Sequence, residues 1–159
     1  MRREFAKVMG ELIELDKNVF VLSADNGFGL VNYLQKISPK QCINTGLREQ
    51  ATIGMAAGMA QEGLKPYIHA ITPFGLDRVF EQIKLDVVQQ NTDVKIVTYW
   101  DYPEGGPTHL TENPRGLCDI LGIRFFAPTD SNQTRDLLME TYSDDQPAFF
   151  YLTRDLNLK

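Results

Sequence analysis

Apolar runs too short to be helices recur along this chain, each separated from the next by an amphipathic stretch. Val19-Phe20-Val21-Leu22 follows a segment whose Phe5, Val8, Met9, Leu12 and Ile13 fall on one helical face. Further strand-like runs lie at 42–43, 67–71, 94–99, 124–127 and 148–153, and helical patterns lie at 30–37, 49–61, 77–90, 117–121 and 134–142. Strands that are apolar on both sides need cover on both faces, which is the condition of a parallel sheet. The pattern predicts an α/β fold: a doubly wound, mainly parallel sheet of six or nearly six strands with helices on both faces. At 159 residues the chain is expected to form one domain spanning 1–159, large enough for a core without metals or disulfides.

Composition narrows the function classes. Sixteen Lys and Arg against twenty-one Asp and Glu give a net charge of -5, which argues against nucleic acid as a partner because phosphates need a cationic face. Cys42 and Cys118 form no CxxC, and two lone thiols in an acidic chain fit a reducing, cytoplasmic setting. The first residues are broken by charges and lack the apolar stretch of a signal peptide, and no run approaches the ~20 residues of a membrane helix.

Ligands of open α/β sheets bind at the carboxyl ends of strands. The segments to search are therefore 24–29, 44–49, 72–74, 100–113 and 154–155. They hold no GxxxxGK[ST], no full GxGxxG and no GxSxG. His69 and His109 are the only histidines, too few without organised cysteines to suggest a protein-bound metal. Glu49 falls in the first turn of the 49–61 helix. There it either complements the helix dipole or is a working carboxylate held at the sheet edge. Gly54 and Gly58, one turn apart, suit close helix packing and a subunit interface.

The run Asn44–Gly63, NTGLREQATIGMAAGMAQEG, resembles the signature of the pyrimidine-binding domain of transketolases and 1-deoxyxylulose-5-phosphate synthases. The likeness continues in Lys65-Pro66-Tyr67, Thr72-Pro73-Phe74, Arg78, Glu81-Gln82, Gly106-Pro107-Thr108-His109, Ala127-Pro128-Thr129-Asp130, Pro147 and Arg154. These matches run in order over nearly the whole chain. They specify the domain type more closely than the substrate.

The resemblance implies thiamine diphosphate. This cofactor reacts through its thiazolium C2, and a carboxylic group at pyrimidine N1′ favours the tautomer that takes up the C2 proton. Glu49 matches the family's glutamate, Phe74 the aromatic that stacks on the aminopyrimidine, and Asp25 an aspartate near the cofactor. His109 resembles a substrate-facing histidine, and Arg154 an arginine that reaches a substrate anion. Read without the resemblance, Phe74 is a core aromatic, Asp25 a turn residue, His109 a loop residue and Arg154 a surface charge.

Two departures bear on substrate. Gly105 stands where the family has an aspartate that reads a sugar hydroxyl, and Leu110 replaces a common glutamine. A vacancy at Gly105 is expected to leave space for a modified sugar, or for a donor lacking the usual hydroxyls. In addition, Phe74 and Arg78 are one residue further apart than in the synthases, and Ile71 stands where an additional aromatic is often found.

The family binds the diphosphate through a magnesium or other divalent cation on a separate domain marked by GDG, and no GDG occurs here. The expectation is a split enzyme. This chain would be the small subunit, associating with itself and with a diphosphate-binding transketolase-like chain into a heterotetramer that transfers a two-carbon ketol unit to or from a sugar-like substrate. Two other readings stay open: a subunit of an enzyme that decarboxylates a 2-oxo acid, and a non-catalytic scaffold of the same fold.

Overall fold

The computed structural model describes residues 1–25, 28–99 and 105–153. Among these, helix α1 (Arg2–Leu15) precedes β1 (Val19–Ser23), α2 (Phe28–Ile37) and β2 (Cys42–Asn44). Then come α3 (Glu49–Gln61), β3 (Lys65–Ile71), the short α4 (Thr72–Gly75) and α5 (Phe80–Gln82). The remainder is β4 (Lys95–Tyr99), α6 (Pro114–Leu121), β5 (Arg124–Phe126), α7 (Ser131–Tyr142) and β6 (Ala148–Leu152). The sheet order is β2-β1-β3-β4-β6-β5, and every neighbouring pair is parallel.

Alternation along the strands divides the interior in two, because successive side chains leave a strand on opposite faces. On β6, Ala148, Phe150 and Leu152 enter one core, while Phe149 and Tyr151 join the other. The first core packs Phe5, Met9 and Leu12 of α1 with Leu34 of α2 and Leu138 of α7. The second packs Ile53 and Ala56 of α3 with Val79, Ile83 and Val87, and with Cys118 and Leu121 of α6. Helices therefore cover both faces, as the apolar strands require. No helix among the described residues is long and apolar enough to cross a membrane.

The stretch 77–90 departs from the single α-helix expected of it. Asp77–Val79 is a 3-10 turn, α5 follows, and Ile83–Val88 is wound as a π-helix. The wide turn is closed by the Gln89 N–H donating to the Lys84 carbonyl, and the Thr92 hydroxyl donates to the Asp86 carbonyl. Val79, Ile83 and Val87, spaced by four, are all fully buried. Regular α winding would carry such a stripe round by about 40° per step. Mixing tighter and wider turns lets the chain keep it against the sheet.

Charges gather at the amino-terminal edge of the sheet. Lys65, Lys95 and Arg124 begin β3, β4 and β5. Lys65 Nζ is 3.1 Å from Asp145 and Arg124 Nη1 is 2.6 Å from Asp144. Lys95, whose side chain is only 2% exposed, bridges Asp93 and Asp144.

His69 of β3 is fully buried, stacked between the rings of Phe5 (5.4 Å) and Tyr99 (4.7 Å). Burial, reinforced by the nearby Arg2 cation, pushes its pKa down to about 3. The unfolded chain, with an ordinary histidine, takes up this proton first as pH falls. The neutral ring therefore costs stability from about pH 6.5 downward, by about 1.4 kcal/mol per pH unit, levelling off near the folded value. Urea titrations should show the His69→Phe chain retaining more of its stability than the parent between about pH 6 and 4.

Candidate functional site

All six strands run the same way, so their carboxyl ends share one edge. There β1 lies between β2 and β3, and the winding of the chain reverses, which opens a crevice in folds of this kind. The loop from β2 to α3 is built at this crevice. Asn44 Oδ1 accepts from the N–H groups of Gly46 (2.9 Å) and Asp25 (3.2 Å), and Asn44 Nδ2 donates to Asp25 Oδ1 (2.9 Å). Gly46 has a φ of 73°, a conformation glycine adopts without steric cost. Thr45 and Thr52 join their hydroxyls at 2.7 Å, and Thr52 also donates to the Arg48 carbonyl. These bonds fix the first turn of α3, with Glu49 at its start.

The Glu49 side chain is 14% exposed, short of full burial, and lines an open depression of about 470 Å³ with Leu47, Arg48, Gln50, Ala51 and Arg78. Arg78 Nη1 donates to Glu49 Oε1 at 3.2 Å. The same guanidinium lies over the Phe74 ring, 3.8 Å from its centroid, and Gln50 donates to the Arg78 carbonyl. The His109 imidazole meets the Phe74 ring in a T-shaped contact, with centroids 5.0 Å apart and planes at 66°. Glu49, Arg78, Phe74 and His109 thus form a row drawn from three separate loops.

Close backbone approach holds the row in place. A Cβ on Gly75 would lie 2.8 Å from Thr98 Cγ2 and 3.1 Å from Ala70 Cβ, so only glycine lets α4 sit against β3 and β4. The Thr72 hydroxyl donates to the Tyr99 carbonyl at 2.8 Å. The Thr111 hydroxyl donates to Asp77 Oδ2 at 2.6 Å, which ties the His109 loop to the turn that carries Arg78.

Of the residues singled out in the sequence, Glu49, Phe74 and His109 come together. Asp25 shares the sheet edge but is engaged by Asn44 rather than by the row. Its φ of 53° is unusual for a residue with a side chain. Arg154 and Glu104 lie outside the described residues. Sequence reasoning missed Arg78 as the link between carboxylate and aromatic, because no local spacing relates residue 49 to residue 78. The space expected beside Gly105 is absent as well, since the His109 ring fills it. A Cβ on Gly58 would meet nothing within 4 Å among the described residues, whereas one on Gly54 would lie 3.7 Å from Asp86 Oδ2.

The family model described as "Transketolase, pyrimidine binding domain" matches residues 1–158. The chain belongs to this family. It is 28% identical over 159 residues to the "6-deoxy-6-sulfo-D-fructose transketolase subunit SqwH" of Clostridium sp. (strain MSTE9), covering 97% of this chain and 49% of that protein. It is likewise 28% identical to an apulose-4-phosphate transketolase subunit of Phocaeicola vulgatus, over 96% of this chain and 51% of the relative. Among solved structures, one described as "Split gene transketolase, inactive beta4 tetramer" superposes with a TM-score of 0.87 at 27% identity, covering 96% of this chain and 51% of its own. The chain spans about half the length of each of these relatives.

Proposed function

We propose that this chain is the pyrimidine-binding part of a split transketolase-like enzyme that transfers a two-carbon ketol unit. The observation that carries the reading is a partly buried carboxylate, Glu49, linked through the Arg78 guanidinium to an aromatic, Phe74, at the sheet's crevice in a chain of this family. An aminopyrimidine needs those two things: a carboxyl group for a ring nitrogen and a flat apolar surface. Thiamine diphosphate, when bound, supplies the thiazolium carbon that attacks the donor's carbonyl. Glu49 holds a proton at the pyrimidine nitrogen, Phe74 fixes the ring plane, and His109 donates to the donor's oxygen and moves protons near neutral pH. Asp25 lies close to the cofactor, and Arg154 takes a remote anion on the donor.

A divalent cation and the diphosphate are held by a partner chain carrying the GDG motif. The exposed side of α3 offers Ala51, Met55 and Gly58 to a second copy or to that partner, with Leu47 and Leu85 also exposed. A cytoplasmic setting suits Cys42 and Cys118, both buried, reduced and pushed by burial to about 11 and about 12.

The relatives' names point to altered sugars, and Gly105 offers no side chain to read the usual hydroxyl. Both support a reading in which the donor is a modified ketose. A site built around a hydroxyl rejects analogues lacking it by roughly 10⁴–10⁵. Reconstituted with its partner, this enzyme is expected to show a far smaller preference for xylulose 5-phosphate over deoxy or sulfonated donors, read as ratios of kcat/KM. Ketol transfer that depends on magnesium and thiamine diphosphate supports the proposal. Carbon dioxide release from a 2-oxo acid without ketol transfer replaces it with the decarboxylating reading. No cofactor binding by the assembled chains leaves only a scaffold.

A further inference from the structure

We infer that Gly105 is a positioning residue for His109, its missing side chain being the seat of the imidazole. A Cβ built on Gly105 would lie 2.5 Å from Cγ, 2.8 Å from Nδ1 and 3.0 Å from Cβ of His109. The demand for glycine here is one of space. The neighbouring Gly106, with a φ of 76°, is required by backbone conformation instead.

The atoms in conflict are the root of the histidine side chain, not a flexible tip. They cannot move aside without turning the whole ring about χ1. The histidine's own stretch of backbone is held, because the His109 N–H donates to the Gly106 carbonyl at 3.0 Å and Thr111 is bound to Asp77 two residues on. The Thr108 hydroxyl meets Nδ1 at 3.0 Å and holds the ring's orientation. A side chain at 105 therefore drives the imidazole off its contact with Phe74. In this chain the residue that departs from the family pattern and the histidine that matches it are coupled: the imidazole sits where a side chain at 105 would begin.

The inference rests on the functional reading above only for its consequence in turnover; the placement of the ring is independent of it. The test pairs two readouts. In the labelled full chain, His109 ring protons are assigned by comparison with His109→Asn, and their dependence on Phe74 by Phe74→Leu. Gly105→Ala is expected to shift the His109 signals towards those seen when the Phe74 ring current is lost. In the enzyme assembled with its partner, Gly105→Ala is expected to lower kcat by about 10²-fold, the usual cost of a displacement near 1 Å. The same substitution made in the His109→Asn background should have no further effect, because the group it displaces is gone. Unchanged His109 signals in Gly105→Ala overturn the inference. So does an equal loss of kcat in both backgrounds, which would assign the effect to the loop itself. Shifted signals with unchanged turnover uphold the placement and overturn the role of His109 in catalysis.

Discussion

Glu49→Gln is expected to lower kcat of the assembled enzyme by about 10²–10⁴-fold, the range of a lost acid–base group, with KM for the donor little changed. Glutamine keeps the length and one hydrogen bond but cannot exchange a proton with the pyrimidine nitrogen, so the loss falls on the transition state rather than on donor binding. The fold should survive. Glu49 heads α3 and contributes no core packing, and the loss of a first-turn carboxylate costs about 0.3–1 kcal/mol. The loop that places it is held by Asn44, Thr45 and Thr52, none of which bonds to the Glu49 side chain. Circular dichroism and the thermal midpoint check the fold, and single-turnover kinetics check the chemical step. Near-parental turnover would remove Glu49 from the mechanism.

The largest stability effect is expected at the opposite edge of the sheet. Lys95→Met should cost about 3–5 kcal/mol, because removing one partner of a buried pair leaves the other charge uncompensated. Asp93 is the group left behind. Burial already raises its pKa, and Lys95 is the main influence opposing that rise. Without the ammonium, the folded-state pKa of Asp93 stands still further above its unfolded value. The unfolded chain then ionises first as pH increases, and the deficit grows above about pH 4. Asp144 keeps Arg124 at 2.6 Å and is better protected. Adding Asp93→Leu to Lys95→Met should recover much of the loss, since a buried pair replaced by apolar side chains is often neutral. Urea melts of the three chains at pH 5 and pH 7.5 test both the size and the direction.

The strands are legible because burial on both faces leaves little room for polar residues. The runs 19–22 and 148–153 lie within a residue of the observed Val19–Ser23 and Ala148–Leu152. Helix starts read late where a polar cap precedes the apolar stripe. Asp130 accepts from the Gln133 N–H and so begins α7 at Ser131, three residues before the expected 134. The π-helical stretch is not legible, since its apolar spacing of four also suits an α-helix. Within the site, Glu49 and Phe74 can be named from the family likeness. The guanidinium between them cannot, because its partners come from α3 and α4 and meet only once the sheet has brought those elements together. Gly105 reads as a vacancy in the sequence. Only the path of the loop reveals that a residue four positions later occupies it.

The sheet order also carries a consequence for how the chain acquires its shape. β6 comes after the other five strands in the sequence, yet it lies inside the sheet, between β4 and β5. Its Phe149 and Phe150 reach into the two cores on opposite faces. Until residues 148–152 are in place, β4 and β5 have no common neighbour, the first core lacks Phe150 and the second lacks its fully buried aromatic, Phe149. β4 would then show an unpaired border and β5 would have no strand partner, the kind of surface that recruits other chains. The β4–β6 pairing spans more than fifty residues, a separation that slows folding through the entropy of closing so long a loop. A ribosome making this protein therefore exposes a nascent chain whose sheet stays open until β6 emerges. That interval is when association with the wrong neighbour is most favoured.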